Sequence, residues 1–242
     1  MKGSPRRIEL TLGYVLHHRP WRDTSRILEA LTREHGRLTL FARAVRGPKA
    51  PLAPLLQPFQ PLLLSWSGRG EAPQLTGAER ASSVAPLPPP LLLGAFYLNE
   101  LILKLTTRHD PLPELFDDYH ASLAALRAGA ALEPVLRVFE KRLLEVLGYG
   151  LNLRTEADGA TPIDSGRCYG YRPAAGLTCA PAGAAGAFAG ASLLALEAED
   201  LSDARALEDA RRLLKGALDA CLEGRPLATR AVARSMARRA AP

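Results

Sequence analysis

The histidines, cysteines and clustered carboxylates are the side chains that would carry bond-making chemistry in this chain, and their spacing argues against it. The five histidines (His17, His18, His35, His109 and His120) match no metal-ligand or triad arrangement. Cys168 and Cys179 stand singly around Tyr169-Gly170-Tyr171, and Cys221 is the third and last. A structural zinc site draws on four ligands, often as two close pairs, so three free thiols are expected here and no metal. No Gly-x4-Gly-Lys-Ser/Thr loop and no Gly-x-Gly-x-x-Gly between a strand and a helix is present to cradle a phosphate. Asp117-Asp118 and Glu197, Glu199 and Asp200 read as solvated helix faces. No catalytic residue and no cofactor is expected.

What remains is arginine. Arg6, Arg7, Arg19, Arg22, Arg26, Arg33, Arg37, Arg43, Arg46, Lys49 and Arg69 crowd the first third of the chain, beside Tyr14, Trp21, Phe41 and Trp66. Cations interleaved with aromatic rings suit a nucleic-acid strand, whose phosphates take the charge and whose bases take the rings. The same residues allow a plainer reading, in which Phe41 and Trp66 fill a core and the arginines solvate the surface.

The chain has 242 residues, with 31 Lys+Arg against 25 Asp+Glu, a formal charge of +6. Only five of the basic residues are lysine, so part of the excess can reflect coding bias toward Arg, Ala, Gly and Pro. Its distribution is more telling: residues 1–80 carry 13 basic and 6 acidic side chains, residues 81–190 carry 9 and 11, and residues 191–242 carry 9 and 8. The excess lies in the first third, which points to a polyanion-binding face there. At 47% apolar and 23% charged, the composition is that of a globular protein. Three cysteines are too few for a disulfide framework and favour a reducing compartment. Arg6 and Arg7 precede an apolar stretch, but Glu9 and Thr11 interrupt it, and Leu91 to Leu105 is too short and too polar to span a bilayer. A cytoplasmic protein is expected.

The elements that must position these residues follow from periodicity. Ile8, Leu10, Leu12, Tyr14 and Leu16 alternate with their neighbours at period two, and further strands are predicted over 24–33, 37–46, 61–67 and 71–80. Five short strands with turns about every ten residues predict a small barrel. After Pro86, Pro88, Pro89 and Pro90 the period becomes helical, with helices predicted over 91–105, 112–128, 133–147, 203–222 and 229–239 and Asp203 as an N-cap. Residues 151–190, rich in Gly and Ala, read as an irregular insertion. The expectation is an α+β protein of two domains, a five-stranded barrel over 1–80 and a helical domain over 81–242.

The order of several motifs resembles the bacterial RecO family of recombination mediators. The resemblance runs through Arg19-Pro20-Trp21-Arg22-Asp23-Thr24-Ser25, Gly36-Arg37-Leu38, Ala42-Arg43-Ala44-Val45-Arg46-Gly47 and Leu56-Gln57-Pro58-Phe59. It continues through Tyr97-Leu98-Asn99-Glu100-Leu101, Leu115-Phe116-Asp117-Asp118-Tyr119, Arg137-Val138-Phe139-Glu140, Leu147-Gly148-Tyr149-Gly150 and Gly224-Arg225-Pro226-Leu227. The resemblance implies an N-terminal OB-fold and a helical C-terminal domain. It implies binding of single- and double-stranded DNA, annealing of complementary strands and help for RecA in loading onto strands coated by single-stranded-DNA-binding protein. RecR and the acidic C-terminal tail of that coating protein are the implied partners. Some members of the family carry a four-cysteine zinc site, a pattern from which Cys168 and Cys179 depart.

On this basis the DNA-binding candidates are Arg6, Arg7, Arg19, Arg22, Arg37, Arg43, Arg46, Lys49 and Arg69. An acidic, hydrophobic tail calls for cations beside an apolar slot, and Arg137, Lys141 and Arg142 with Phe116 and Leu144 as walls are the candidates. Salt-bridging of Arg137 to Glu140 at a helix surface is the competing reading. Two other functions stay open to the residues alone: an RNA-binding or ribosome-associated barrel, and a protein adaptor whose charge is incidental.

Overall fold

Period-two alternation in the first 80 residues closes into a barrel. The computed structural model describes residues 7–45, 51–173 and 175–240. Strands β1 (Arg7–Trp21), β2 (Ser25–Thr32), β3 (Gly36–Ala42), β4 (Leu62–Ser67) and β5 (Gln74–Arg80) form a closed barrel in the order β1-β2-β3-β5-β4. Val15, Leu28, Ala30, Leu38, Leu40, Leu62, Leu64 and Trp66 fill its interior. The alternation in β1 is not the single face that the sequence predicts. Register shifts between Ile8 and Thr11 and between Val15 and His17 break it. Leu10, with φ at 50°, is turned out to solvent, and Val15 rather than Tyr14 or Leu16 points into the barrel.

Tyr14 and Leu16 instead face helices α1 (Leu92–Leu105) and α2 (Pro113–Arg127). The Tyr14 ring packs on Phe116 and edge-on against Tyr119 at 5.1 Å, and its hydroxyl lies 2.7 Å from His120 Nδ1. The buried Asn99 amide donates to the Leu16 carbonyl at 2.8 Å and accepts from the Tyr119 hydroxyl at 2.6 Å. One polar bridge thereby satisfies groups on β1, α1 and α2 that burial would otherwise penalise. Gly36, with φ at 64°, sits at the β2–β3 turn, where a Cβ would stand 2.0 Å from the Asp110 carbonyl oxygen. The segment after α1 therefore presses against this end of the barrel, and the His109 amide donates to the Arg37 carbonyl at 2.8 Å.

Contacts divide the chain into two compact units, Met1–Ala128 with Leu227–Pro242, and Gly129–Pro226. The first thus includes α1, α2 and the last helix, α6 (Ala228–Ala240), along with the barrel. The second contains α3 (Leu132–Val146), α4 (Gly190–Glu197), α5 (Ala204–Leu222) and a three-stranded sheet of β6 (Cys168–Arg172), β7 (Gly176–Ala180) and β8 (Phe188–Ala189). The segment read as irregular from sequence therefore holds a hairpin and a short third strand. Asp203 caps α5 as predicted, its carboxylate accepting from the Ala206 amide at 2.8 Å. Among the described residues, no helix is long and apolar enough to cross a membrane.

Candidate nucleic-acid interface

Strand register and turn positions gather four of the candidate arginines on one rim of the barrel. Arg7 pairs with Ser67, Ser67 with Gln74, Gln74 with Phe41, Phe41 with Ile27, and Ile27 with Arg19, back on the first strand. Paired residues share a face, and this path lies outside the core; it spirals with the shear of the barrel, leaving β1 at Arg7 and returning to it twelve residues later at Arg19, so these two arginines stand near opposite ends of the strand. Arg22 sits in the β1–β2 turn and Arg69 in the β4–β5 turn, both exposed. The Phe41 amide donates to the Pro73 carbonyl at 2.9 Å, which ties the second turn to the end of β3. Arg43 follows that end, exposed, with its guanidinium carbon 5.7 Å from the centroid of the Phe41 ring.

Arg19, Arg22, Arg43 and Arg69 therefore lie around one rim, where the β1–β2 turn, the end of β3 and the β4–β5 turn meet; Arg7, at the start of β1 and paired with Glu9 at 2.6 Å, does not, and neither does Arg37. Arg37 lies at the other end of β3, its side chain 10% exposed, where Nη1 donates to Glu29 at 2.9 Å and Nη2 to the Thr106 carbonyl at 2.7 Å. Arg108 and Thr39 donate to the same Glu29 carboxylate, at 2.7 and 2.8 Å. Burial would raise the Glu29 pKa, but these hydrogen bonds outweigh it and hold the carboxyl below its ordinary value. Arg37 fastens β3 to the segment after α1 and presents no guanidinium to a ligand. Its partners come from other elements, Glu29 from the paired strand β2 and Thr106 from the end of α1, so the sequence alone does not separate it from the surface arginines. Arg6, Arg46 and Lys49 lie outside the described residues.

The residues named for an acidic tail are placed differently. Phe116 belongs to the first unit and is buried against Tyr14; Leu144, in the second, is fully buried on α3. Neither offers a surface wall. Arg137 reaches Glu140 at 3.0 Å, the partner that the competing reading named, but the pair is buried rather than at the helix surface. Lys141 contacts Glu145 at 3.2 Å and Glu199 at 3.3 Å, and Arg142 Nε donates to Glu199 at 3.0 Å. The arginine nearest this carboxylate, Arg142, holds Glu199 below its usual pKa, with Lys141 assisting. A pocket of about 520 Å³ in the second unit, lined by Tyr149, Leu151, Tyr171, Leu177 and Cys221, contains Glu156 and Glu223 and no basic side chain. Its charge is wrong for an acidic peptide.

Cys168 and Cys179 lie on paired strands of the β6–β7 hairpin, and all three cysteines are free. Among the described residues, no group of three or more His, Cys, Asp or Glu side chains is arranged to hold a metal ion.

The sequence as a whole matches proteins of known kind. The family model described as the N-terminal part of recombination protein O matches residues 8–84, and that for its C-terminal part matches residues 90–231. A protein of Methylococcus capsulatus named DNA repair protein RecO is 44% identical over 97% of this chain and 96% of its own length. Its namesake in Nitrosococcus oceani is 42% identical over 96% of this chain and 95% of its own, and that of Haemophilus influenzae 38% over 92% and 94%. With both family models matched in order and relatives alike over almost their whole length, the chain belongs to the RecO family of recombination and DNA-repair proteins.

Proposed function

We propose that this chain is a recombination mediator that binds single- and double-stranded DNA on the arginine rim and anneals complementary strands. In the same reading it works with RecR, and helps RecA load onto strands coated by single-stranded-DNA-binding protein, in the cytoplasm on the bacterial nucleoid. The observation that carries it is the gathering of Arg19, Arg22, Arg43 and Arg69 at one barrel rim in a member of this family. Annealing requires two polyanions to approach, and a cationic surface that screens both lowers their repulsion without breaking a bond. The work is that of a binding protein rather than an enzyme.

Lys141 and Arg142 are the proposed contacts for the acidic tail of the coating protein. They already share Glu199, so a tail carboxylate would bind by exchanging with that side chain. The test is annealing of complementary strands coated with single-stranded-DNA-binding protein, with and without its C-terminal tail. Acceleration that needs both the tail and the rim arginines is expected. A chain with Arg19→Glu and Arg43→Glu that anneals at the unaltered rate would overturn the rim assignment.

A further inference from the structure

Four aromatic side chains accompany the arginines of the barrel, and their burial separates them. Tyr14 is 1% and Trp66 5% exposed, both committed to packing. Phe41 is half-buried beneath Arg43. Trp21 alone of the four is open, 42% exposed at the end of β1. It pairs with Ser25, whose small side chain leaves the indole uncovered on the neighbouring strand. Arg19, two residues earlier, projects to the same side of β1, and Arg22 follows directly in the turn. Ile27 and Phe41 continue this outward surface across β2 and β3.

A single exposed indole needs no ligand to explain it; what points to one here is the arginines on either side of the ring. The cations around it favour a polyanion, and the flat ring favours a planar apolar partner. One ligand has both properties: a nucleic-acid strand whose bases are not already stacked. A duplex presents phosphates but hides its base faces. We propose that Trp21 is a base-stacking site, which takes an unpaired nucleobase while Arg19, Arg22 and Arg43 hold the adjoining phosphates, and so gives the rim a preference for single strands over duplex. This rests on the DNA-binding reading above and adds to it the kind of contact and the residue that makes it.

The chain has two tryptophans, and Trp66 is buried in the barrel, so indole emission that is lost in Trp21→Ala reports on Trp21. Three probes of equal length are compared with the full chain: a thymidine strand of about 16 nucleotides, the same backbone lacking bases, and a duplex. The thymidine strand should quench the Trp21 emission and the abasic backbone should leave it unchanged. Trp21→Ala should bind the thymidine strand about 5- to 150-fold more weakly, bind the abasic backbone within about 2-fold of the unaltered chain, and lose the preference over duplex. Trp21→Phe should recover much of the affinity, because a phenyl ring still stacks. If the labelled thymidine strand binds both chains equally well and Trp21 emission does not respond, the stacking site is refuted while DNA binding by the rim stands. That same pattern is expected if the indole instead docks a protein. If none of the probes binds at low salt, the DNA-binding reading fails with it.

Discussion

Arg37 lies near the start of β3 and Arg43 follows its end, yet the two do different work. The nearly buried Arg37 guanidinium and Glu29 carboxylate form a cluster with Thr106 and, through Glu29, with the half-exposed Arg108. Removing one partner of such a cluster leaves a carboxylate in poor solvent with fewer donors. Arg37→Ala should therefore destabilise the barrel by roughly 3 kcal/mol, lowering the thermal midpoint by about 6–12 °C. The exposed Arg43→Ala should shift it by no more than about 0.5 kcal/mol while weakening DNA binding. Calorimetry and strand binding on the two variants check this together. Equal stability of both chains would mean that the Glu29 cluster contributes nothing net. Sequence could name both arginines and not tell them apart, because the partners that claim Arg37 come from β2 and from the segment beyond α1.

At the scale of elements, α6 is held by an acid from another helix. Glu100 on α1 accepts from the Ala228 amide at 2.7 Å, the Thr229 amide at 2.9 Å and the Thr229 hydroxyl at 2.6 Å. The carboxylate thus takes the place of an N-cap, with its charge at the positive end of the helix dipole. Burial would raise the Glu100 pKa, but the three donors from Thr229 and Ala228, with Lys104 nearby, bring it below its ordinary value. A carboxyl depressed on folding contributes stability that is complete above its unfolded pKa and is lost as the pH falls through the folded value. The anchor of α6 should therefore loosen in acid, below about pH 4. Glu100→Ala should bring the same loosening at neutral pH, costing about 1 kcal/mol. Amide hydrogen exchange in the first turn of α6 reads both, and exchange unaffected by the substitution would mean that α6 is held by other contacts. The barrel strands and the long helices were legible in the sequence, because six residues or more suffice for a period to show. The β6–β7 hairpin and β8 were not. Their strands are five residues or fewer, built mostly of Gly, Thr, Cys, Tyr and Ala with only Leu177 and Phe188 as large aliphatic or phenyl side chains, and too short to display alternation. The rim itself was half legible: the arginines could be counted, but only the register, with its two shifts in β1, says which of them meet.

Across the whole molecule, the compact units divide charge more sharply than the thirds of the sequence do. Met1–Ala128 with Leu227–Pro242 carries 20 basic and 11 acidic side chains, whereas Gly129–Pro226 carries 11 and 14. The net values are +9 and −3, so the modest overall charge conceals one strongly cationic unit. Nucleic-acid affinity should then depend on where a charge is altered and not only on how much. If the four described rim arginines each neutralise one phosphate of a single strand, the logarithm of the affinity should fall with the logarithm of salt at a slope of about −2.8. Arg19→Glu with Arg43→Glu should flatten the slope by about 1.4, since two contacts are removed. Arg172→Glu with Arg211→Glu changes the total charge by the same amount on the second unit. It should weaken binding only through the screened, long-range field and leave the slope as it was. Titrations of a labelled strand against both variants at several salt concentrations separate these cases. Equal flattening by the two pairs would show that net charge, rather than the barrel rim, governs the interaction.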